Sequence, residues 1–249
     1  MRSVLRRCLA LAFALAPLAA ARAQTPILLD PVSVVPGVDL LHARMATGDL
    51  NGDGNADLVV SGLNRETRQP QVALLRFTSA TSTVVRGTTF YYATYSLVIN
   101  QFGPAWGGDV LTHDLDGDGD DDLLYTGAAD TTSTGRPAVV AALQNAGTLA
   151  PVTIAGIPAL THARLAASGP YLAAMGRLGS GATTLVVLRR TGSGAAAYTT
   201  AATADGAQLG AVALGDCDAD GDPDVVAAGL DATGRPIATL LRNTGTGFT

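Results

Sequence analysis

The chain has 249 residues and a net charge of −5 at neutral pH, and its 16 basic residues are all arginines scattered along its length. Nucleic-acid binding needs a clustered basic face, which this distribution excludes. Of the 21 acidic residues, 14 fall into three short loops, so the acidity is local and not a general surface field.

The first 23 residues read as a secretory signal. Arg2, Arg6 and Arg7 form a basic start, Leu9 to Ala20 is an apolar run, and Ala21-Arg22-Ala23 is a cleavage site. The apolar run is too short to span a bilayer, and nothing later looks like a span. The expected location is therefore outside the cytoplasm: secreted, periplasmic or at the cell surface. The Arg6-Arg7 pair raises a twin-arginine route, but the residues after it fit that route poorly. Loss of the signal takes four arginines and no acid with it, which moves the net charge to −9. It also takes Cys8, leaving Cys217 with no cysteine to pair with inside the mature chain. Residues 24–40 are rich in proline and read as an extended lead-in.

The first acidic loop follows, Asp49-Leu50-Asn51-Gly52-Asp53-Gly54-Asn55-Ala56-Asp57. It recurs at Asp114–Asp122 and at Asp216–Asp224, with the shared pattern D-x-[DN]-x-D-G-x-x-D and then an apolar residue. So many carboxylates in nine residues repel one another unless a hard cation neutralises them. Calcium takes six to eight oxygens from carboxylates, amide carbonyls and backbone carbonyls. The glycine at position six permits the sharp turn such a cage needs. An EF-hand would require its last carboxylate at position twelve and flanking helices. Here the ninth residue is the last acid and the chain then enters a strand.

Each loop lies between two short apolar runs that read as strands: Ala43 to Thr47 before Leu58–Gly62, Asp109 to Thr112 before Leu123–Gly127, and Leu209 to Leu214 before Val225–Gly229. A turn and a third strand come next, at Val72 to Arg76, Ala138 to Leu143 and Ile237 to Arg242. A weaker fourth strand follows. In the first unit this part is expanded, with Thr83 to Arg86 and Phe90 to Ile99 both strand-like. The stretch from 160 to 200 has no acidic loop but keeps the flanking matches. Thr161-His162-Ala163-Arg164-Leu165 answers Leu41-His42-Ala43-Arg44-Met45, and Ser168-Gly169-Pro170 replaces the loop by a tight turn. The closing glycines then fall at 62, 127, 176 and 229, with spacings of 65, 49 and 53. Four units of about four strands each predict an all-β fold of β-propeller blades, roughly 41–100, 101–158, 159–204 and 205–249.

These residues resemble the FG-GAP/VCBS repeat family, found in the integrin α-subunit propeller and in many bacterial secreted proteins. The resemblance covers roughly residues 40–249, and Phe102-Gly103 also fits its pattern. It implies about three Ca²⁺ ions, with side-chain oxygens from positions one, three, five and nine and a backbone carbonyl from position seven. That nominates Asp49, Asn51, Asp53, Asn55 and Asp57 in the first loop. It nominates Asp114, Asp116, Asp118, Asp120 and Asp122 in the second, and Asp216, Asp218, Asp220, Asp222 and Asp224 in the third. The 159–204 unit should bind no ion. Propellers of this kind usually have seven blades, and Gly245–Thr249 reads as the start of a further strand. Both point to a fragment of a longer reading frame, with completion by another molecule or a closed four-bladed ring as alternatives.

No catalytic motif of the zinc-protease, serine-hydrolase or P-loop type is present. His42 and His162 occupy equivalent repeat positions, which argues for a structural role, and His113 precedes Asp114 where the other loops carry Gly48 and Gly215. Cys217 sits among acids that raise a thiol pKa, so it is not read as a nucleophile. Trp106, Tyr91, Tyr92 and Tyr95 are candidates for stacking on a sugar or anchoring a protein partner, against the alternative of blade packing. The expected function is a non-catalytic, calcium-binding adhesion or binding module with a protein or polysaccharide ligand. The competing expectation is a carbohydrate-binding, lectin-like protein or a component of a carbohydrate-active enzyme.

Overall fold

The computed structural model describes residues 38–85, 88–99, 108–128, 137–145, 148–193 and 197–249. The signal segment, the lead-in as far as residue 37, Phe102-Gly103 and Trp106 lie outside them. Residues 82–90 belong to a separate small unit at the end of one hairpin, and the strands that build the blades belong to a larger one spanning 35–81 and 91–249.

The described residues are all-β and contain no helix. The first blade comprises β1 (Leu40–Gly48), β2 (Asp57–Asn64), β3 (Pro70–Val85) and β4 (Thr88–Ile99). The second comprises β5 (Val110–His113), β6 (Asp122–Ala128), β7 (Pro137–Asn145) and β8 (Thr148–Val152). The third comprises β9 (Thr161–Ser168), β10 (Tyr171–Arg177), β11 (Thr183–Arg190) and β12 (Tyr198–Ala204). In the fourth, β13 (Gln208–Gly215), β14 (Asp224–Leu230) and β15 (Pro236–Leu241) are followed by a single antiparallel bridge between Asn243 and Phe248. Every sheet keeps its strands in chain order, an antiparallel meander, as propeller blades do.

The expanded part of the first unit differs from expectation. Thr83 does not open a strand of its own. It lies within β3, which runs 16 residues and turns directly into β4. Threonine and valine between Thr78 and Val85 favour the extended conformation, and no Gly or Pro interrupts them.

Inner strands of successive blades lie against each other, β1 with β5, β5 with β9 and β9 with β13. Side chains alternate along each strand, so a blade buries one set against its predecessor and the other against its successor. Between blades one and two the core is Leu50, Val59, Val72, Leu74, Val110, Leu123 and Tyr125 with Ala142. Between two and three it includes Leu115, Leu124, Leu160, Leu165, Leu172 and Leu188. Between three and four it is built on Tyr171, Met175, Leu185 and Val187 against Val225 and Ala227.

The closing glycines have a packing reason. A Cβ on Gly62 would stand 2.9 Å from the Leu41 carbonyl oxygen, one on Gly176 3.0 Å from that of Thr161, and one on Gly229 2.8 Å from that of Gln208. Opposite each glycine the inner strand bulges through a residue at positive φ: His42 at 53°, His162 at 52° and Leu209 at 54°. The two histidines are therefore equivalent in structure as in sequence. In the third blade, Gly169, at a φ of 52°, and Pro170 form the two-residue turn that stands where the other blades carry an acidic loop.

Candidate cation-binding loops

Each loop joins an innermost strand to the next: β1 to β2, β5 to β6 and β13 to β14. The three are built alike. The first aspartate curls the chain around its own carboxylate. Asp49 accepts the N–H of Gly52 at 2.8 Å, Asp53 at 3.1 Å and Gly54 at 2.7 Å. Asp216 accepts Asp220 at 3.2 Å and Gly221 at 3.0 Å, and Asp114 accepts Gly117 at 2.5 Å. Position three accepts the N–H of position five, from Asn51, Asp116 and Asp218. Position five accepts that of position seven, from Asp53, Asp118 and Asp220. These are successive turns of the aspartate type.

Position nine is of a different kind. Asp57, Asp122 and Asp224 open strands β2, β6 and β14 and are buried. Asp122 accepts the N–H of Leu115 at 2.7 Å through Oδ2 and that of Gln144 at 2.7 Å through Oδ1. Asp224 accepts Cys217 at 2.9 Å and Asn243 at 2.8 Å in the same way. Asp57 accepts Phe77 at 2.8 Å through Oδ1. Its buried Oδ2 makes no hydrogen bond of normal geometry, and the Leu50 N–H on that side acts on the carboxyl only as a pull that lowers its pKa.

Carboxylates of positions one, three and nine converge. One oxygen from each of Asp114, Asp116 and Asp122 lies within 4.8 Å of the others, and so it is for Asp216, Asp218 and Asp224. Asp118 and Asp220, nominated at position five, stand outside these groups. In the first loop Asn51 takes the place of the middle acid. The donors are all oxygens, as a hard cation requires. The unpartnered Oδ2 of Asp57 is a buried acceptor that such an ion would satisfy, so the residues fit the group.

The charges respond to these surroundings. Burial lifts the Asp122 carboxyl to about 6, against the pull of its two backbone hydrogen bonds. Burial also raises Asp57 and Asp116. Asp224 moves the other way, because the hydrogen bonds from Asn243 and Cys217 outweigh its desolvation. Asp53 is lowered by the Asn51 and Asn55 amides.

Three features of the site have no local sequence signal. The Arg190 guanidinium, from the end of β11, donates to the Asp114 backbone oxygen at 2.8 Å and to its Oδ1 at 3.1 Å. Arg242, after β15, pairs with Asp218. Asp121, at position eight, accepts the Asp49 N–H at 3.0 Å and so ties the second loop to the first. The repeat alignment does place Arg242 level with Arg76 and Arg189, and periodicity could have found it. Nothing short of the fold links Arg190 to a residue 76 positions away. His113 stays out of the second loop: its Nε2 lies 2.9 Å from the Gly169 carbonyl oxygen in the turn of the next blade.

Position four needs a left-handed backbone, which the motif does not specify. Gly52 and Gly117 occupy it in the first two loops at φ of 73° and 89°, but the third has Ala219 at 63°. A Cβ there costs about 1–2 kcal/mol. Ala219→Gly is expected to stabilise the protein by about 1 kcal/mol, read as a higher urea midpoint at unchanged slope. An unchanged or lower midpoint would show that the third loop relaxes away from this geometry.

Of the aromatic candidates, Tyr95 is 36% exposed and meets Phe77 edge-on with centroids 6.0 Å apart. Tyr91 and Tyr92 lie on β4, but their side chains, like Trp106, are outside the described residues. Scanned against protein-family models the chain matches none, and no curated protein matches it.

Proposed function

We infer that the protein is an exported, calcium-stabilised propeller that works as a non-catalytic binding or adhesion module. The observation that carries this reading is the threefold recurrence of one loop at the same corner of three blades, its donors all oxygen and its carboxylates converged in the second and third. The likeness to FG-GAP/VCBS repeats supports it. Asp49, Asn51 and Asp57 would hold one ion, Asp114, Asp116 and Asp122 a second, and Asp216, Asp218 and Asp224 a third. Positions five and seven complete the set when an ion draws the loop in. Each ion would clip two strands together at one corner of a blade, which leaves ligand binding to other surfaces.

Calorimetric titration with calcium is expected to give a stoichiometry near three. A value of four would contradict the reading of the 159–204 unit as ion-free. A panel of polysaccharides and extracellular-matrix proteins, with and without calcium, tests the functional half. Binding without turnover is the expected result, and cleavage of any polysaccharide would overturn it in favour of a carbohydrate-active enzyme.

The second loop should show a pH dependence of its own. A carboxyl at about 6 when folded, against an ordinary 3.8, opposes folding while it is ionised. That penalty is complete above about pH 6, fades between there and 3.8, and is absent below. A cation needs the ionised form, so its affinity runs the opposite way and falls as the pH drops through about 6. In a variant carrying Asp53→Ala and Asp220→Ala, which keeps only the second loop, calcium affinity is expected to fall about tenfold between pH 7 and pH 5. A flat profile would mean that Asp122 is not a ligand.

A further inference from the structure

The three loops do not carry equal charge. The first has three acids, Asp49, Asp53 and Asp57, and is neutral at positions three and seven, where Asn51 and Asn55 stand. The second loop has six acids and the third has five. The additional acid of the second loop is Asp121 at position eight, where the others have Ala56 and Pro223. Asp121 stands outside the converged group of Asp114, Asp116 and Asp122. It turns instead to the neighbouring blade, where its Oδ2 accepts the Asp49 N–H at 3.0 Å.

Both blades are shaped for this contact. Gly48 makes room for it: a Cβ there would stand 2.7 Å from Asp121 Oδ2 and 2.9 Å from the Cβ of Thr112. The Thr112 hydroxyl donates to the Thr47 carbonyl oxygen at 2.6 Å, which fixes β5 against β1 beside the loop. A second link comes from the buried Gln144. Its backbone N–H is held by Asp122, and its Nε2 would lie 3.1 Å from a Cβ on Gly52 in the first loop. The first loop also has its own reason to take a cation. Asp57 is fully buried and its Oδ2 makes no hydrogen bond of normal geometry, an acceptor that an ion would satisfy whatever Asp121 does.

We propose that Asp121, although carried by the second loop, is a positioning residue of the first cation site, which is therefore shared between two blades. The proposal rests on reading the loops as calcium sites. Asp49 supplies position one, and a carboxylate that holds its N–H fixes where the loop begins. It also brings a negative charge to the loop that has fewest. Assigned to the loop it touches, Asp121 brings the first to four acids and leaves the second with five, level with the third. Calcium affinity follows the charge of the ligand set and the rigidity of the cage, and Asp121 raises both at the first site. A cation there also offsets the repulsion between the neighbouring carboxylates of Asp49 and Asp121. The second site keeps its full set of ligand positions without Asp121.

The test is calorimetric titration with calcium of two proteins that each keep one loop. Asp118→Ala with Asp220→Ala keeps the first, and Asp53→Ala with Asp220→Ala keeps the second. Asp121→Ala and Asp121→Asn are then added to each. In the first-loop protein Asp121→Ala is expected to weaken calcium binding about tenfold. Asp121→Asn should recover part of that loss, because its amide oxygen still accepts the Asp49 N–H while the charge is gone. In the second-loop protein both changes should stay under about threefold. Urea midpoints in chelator show that each variant is folded before it is titrated. An unchanged first-loop affinity in Asp121→Ala overturns the proposal. So does an equal or larger loss in the second-loop protein, which would make Asp121 a part of its own loop. So does an Asp121→Asn variant no better than Asp121→Ala at the first loop. Calcium binding by neither parent protein would instead refute the calcium reading itself, and the proposal with it.

Discussion

Calcium is expected to raise the melting temperature of the mature chain by roughly 15–30 °C, and a chelator to remove the gain. At a free ion concentration a hundred times the dissociation constant, each site that exists only in the folded state adds about 2.7 kcal/mol. Three sites add about 8 kcal/mol. For a chain of this size each kcal/mol is worth about 2–4 °C. The gain reaches a single transition because the clusters between blades bind the units together: Leu124 belongs to the same core as Leu165 and Leu172 of the next blade. Magnesium is the control. It demands a smaller, octahedral shell and gives up its water reluctantly, so it should produce only a small part of the shift. An unchanged melting temperature in saturating calcium would refute the metal reading outright and leave the loops as acidic turns held by their own backbone.

Much of this architecture can be read from the residues. Strands β2, β6 and β14 begin at the ninth loop position because the burial of an apolar run starts there. The Ser168-Gly169-Pro170 turn is legible as the replacement for a loop because the flanking repeats stay in register. The closing glycines stand out by position, although the reason for them, a carbonyl oxygen under 3.1 Å from any Cβ, belongs to the bulge opposite. What escapes the sequence is contact between blades. Asp121 differs from Ala56 and Pro223 at the same loop position, and only the packing of two blades shows that it reaches the Asp49 N–H. The phenol of Tyr198 donates to the Leu115 carbonyl oxygen at 2.9 Å across the same kind of boundary, and burial pushes its pKa up to about 12. The division of labour within a loop escapes too. The motif weights all five ligand positions alike, whereas the structure buries one and leaves others to solvent.

That division leads to the second large effect. In chelator, Asp122→Ala is expected to destabilise the protein by about 2–4 kcal/mol, while Asp118→Ala should change its stability by less than about 1 kcal/mol. Asp122 is fully buried, and its two oxygens take the N–H groups of Leu115 and Gln144, which are themselves buried. Removing the carboxylate strands both donors, at about 1–3 kcal/mol each. Relief of its desolvation returns part of that cost, which places the expectation in the lower half of the sum. Asp118 is exposed, and the backbone N–H that it accepts among the described residues, that of Asp120, is one that water replaces. With calcium present the two variants should converge, each binding two ions where the wild type binds three. Asp122→Asn sharpens the comparison, since its amide keeps one acceptor and turns a donor toward a second N–H. Its stability in chelator should fall between that of the wild type and that of Asp122→Ala. Urea midpoints with and without calcium measure all of these. Equal losses for Asp118→Ala and Asp122→Ala in chelator would show that the ninth aspartate is a ligand and nothing more. A larger loss for Asp122→Ala means that the carboxylate that closes the ion cage also staples the loop to the third strand, and that each blade keeps its corner before any ion arrives.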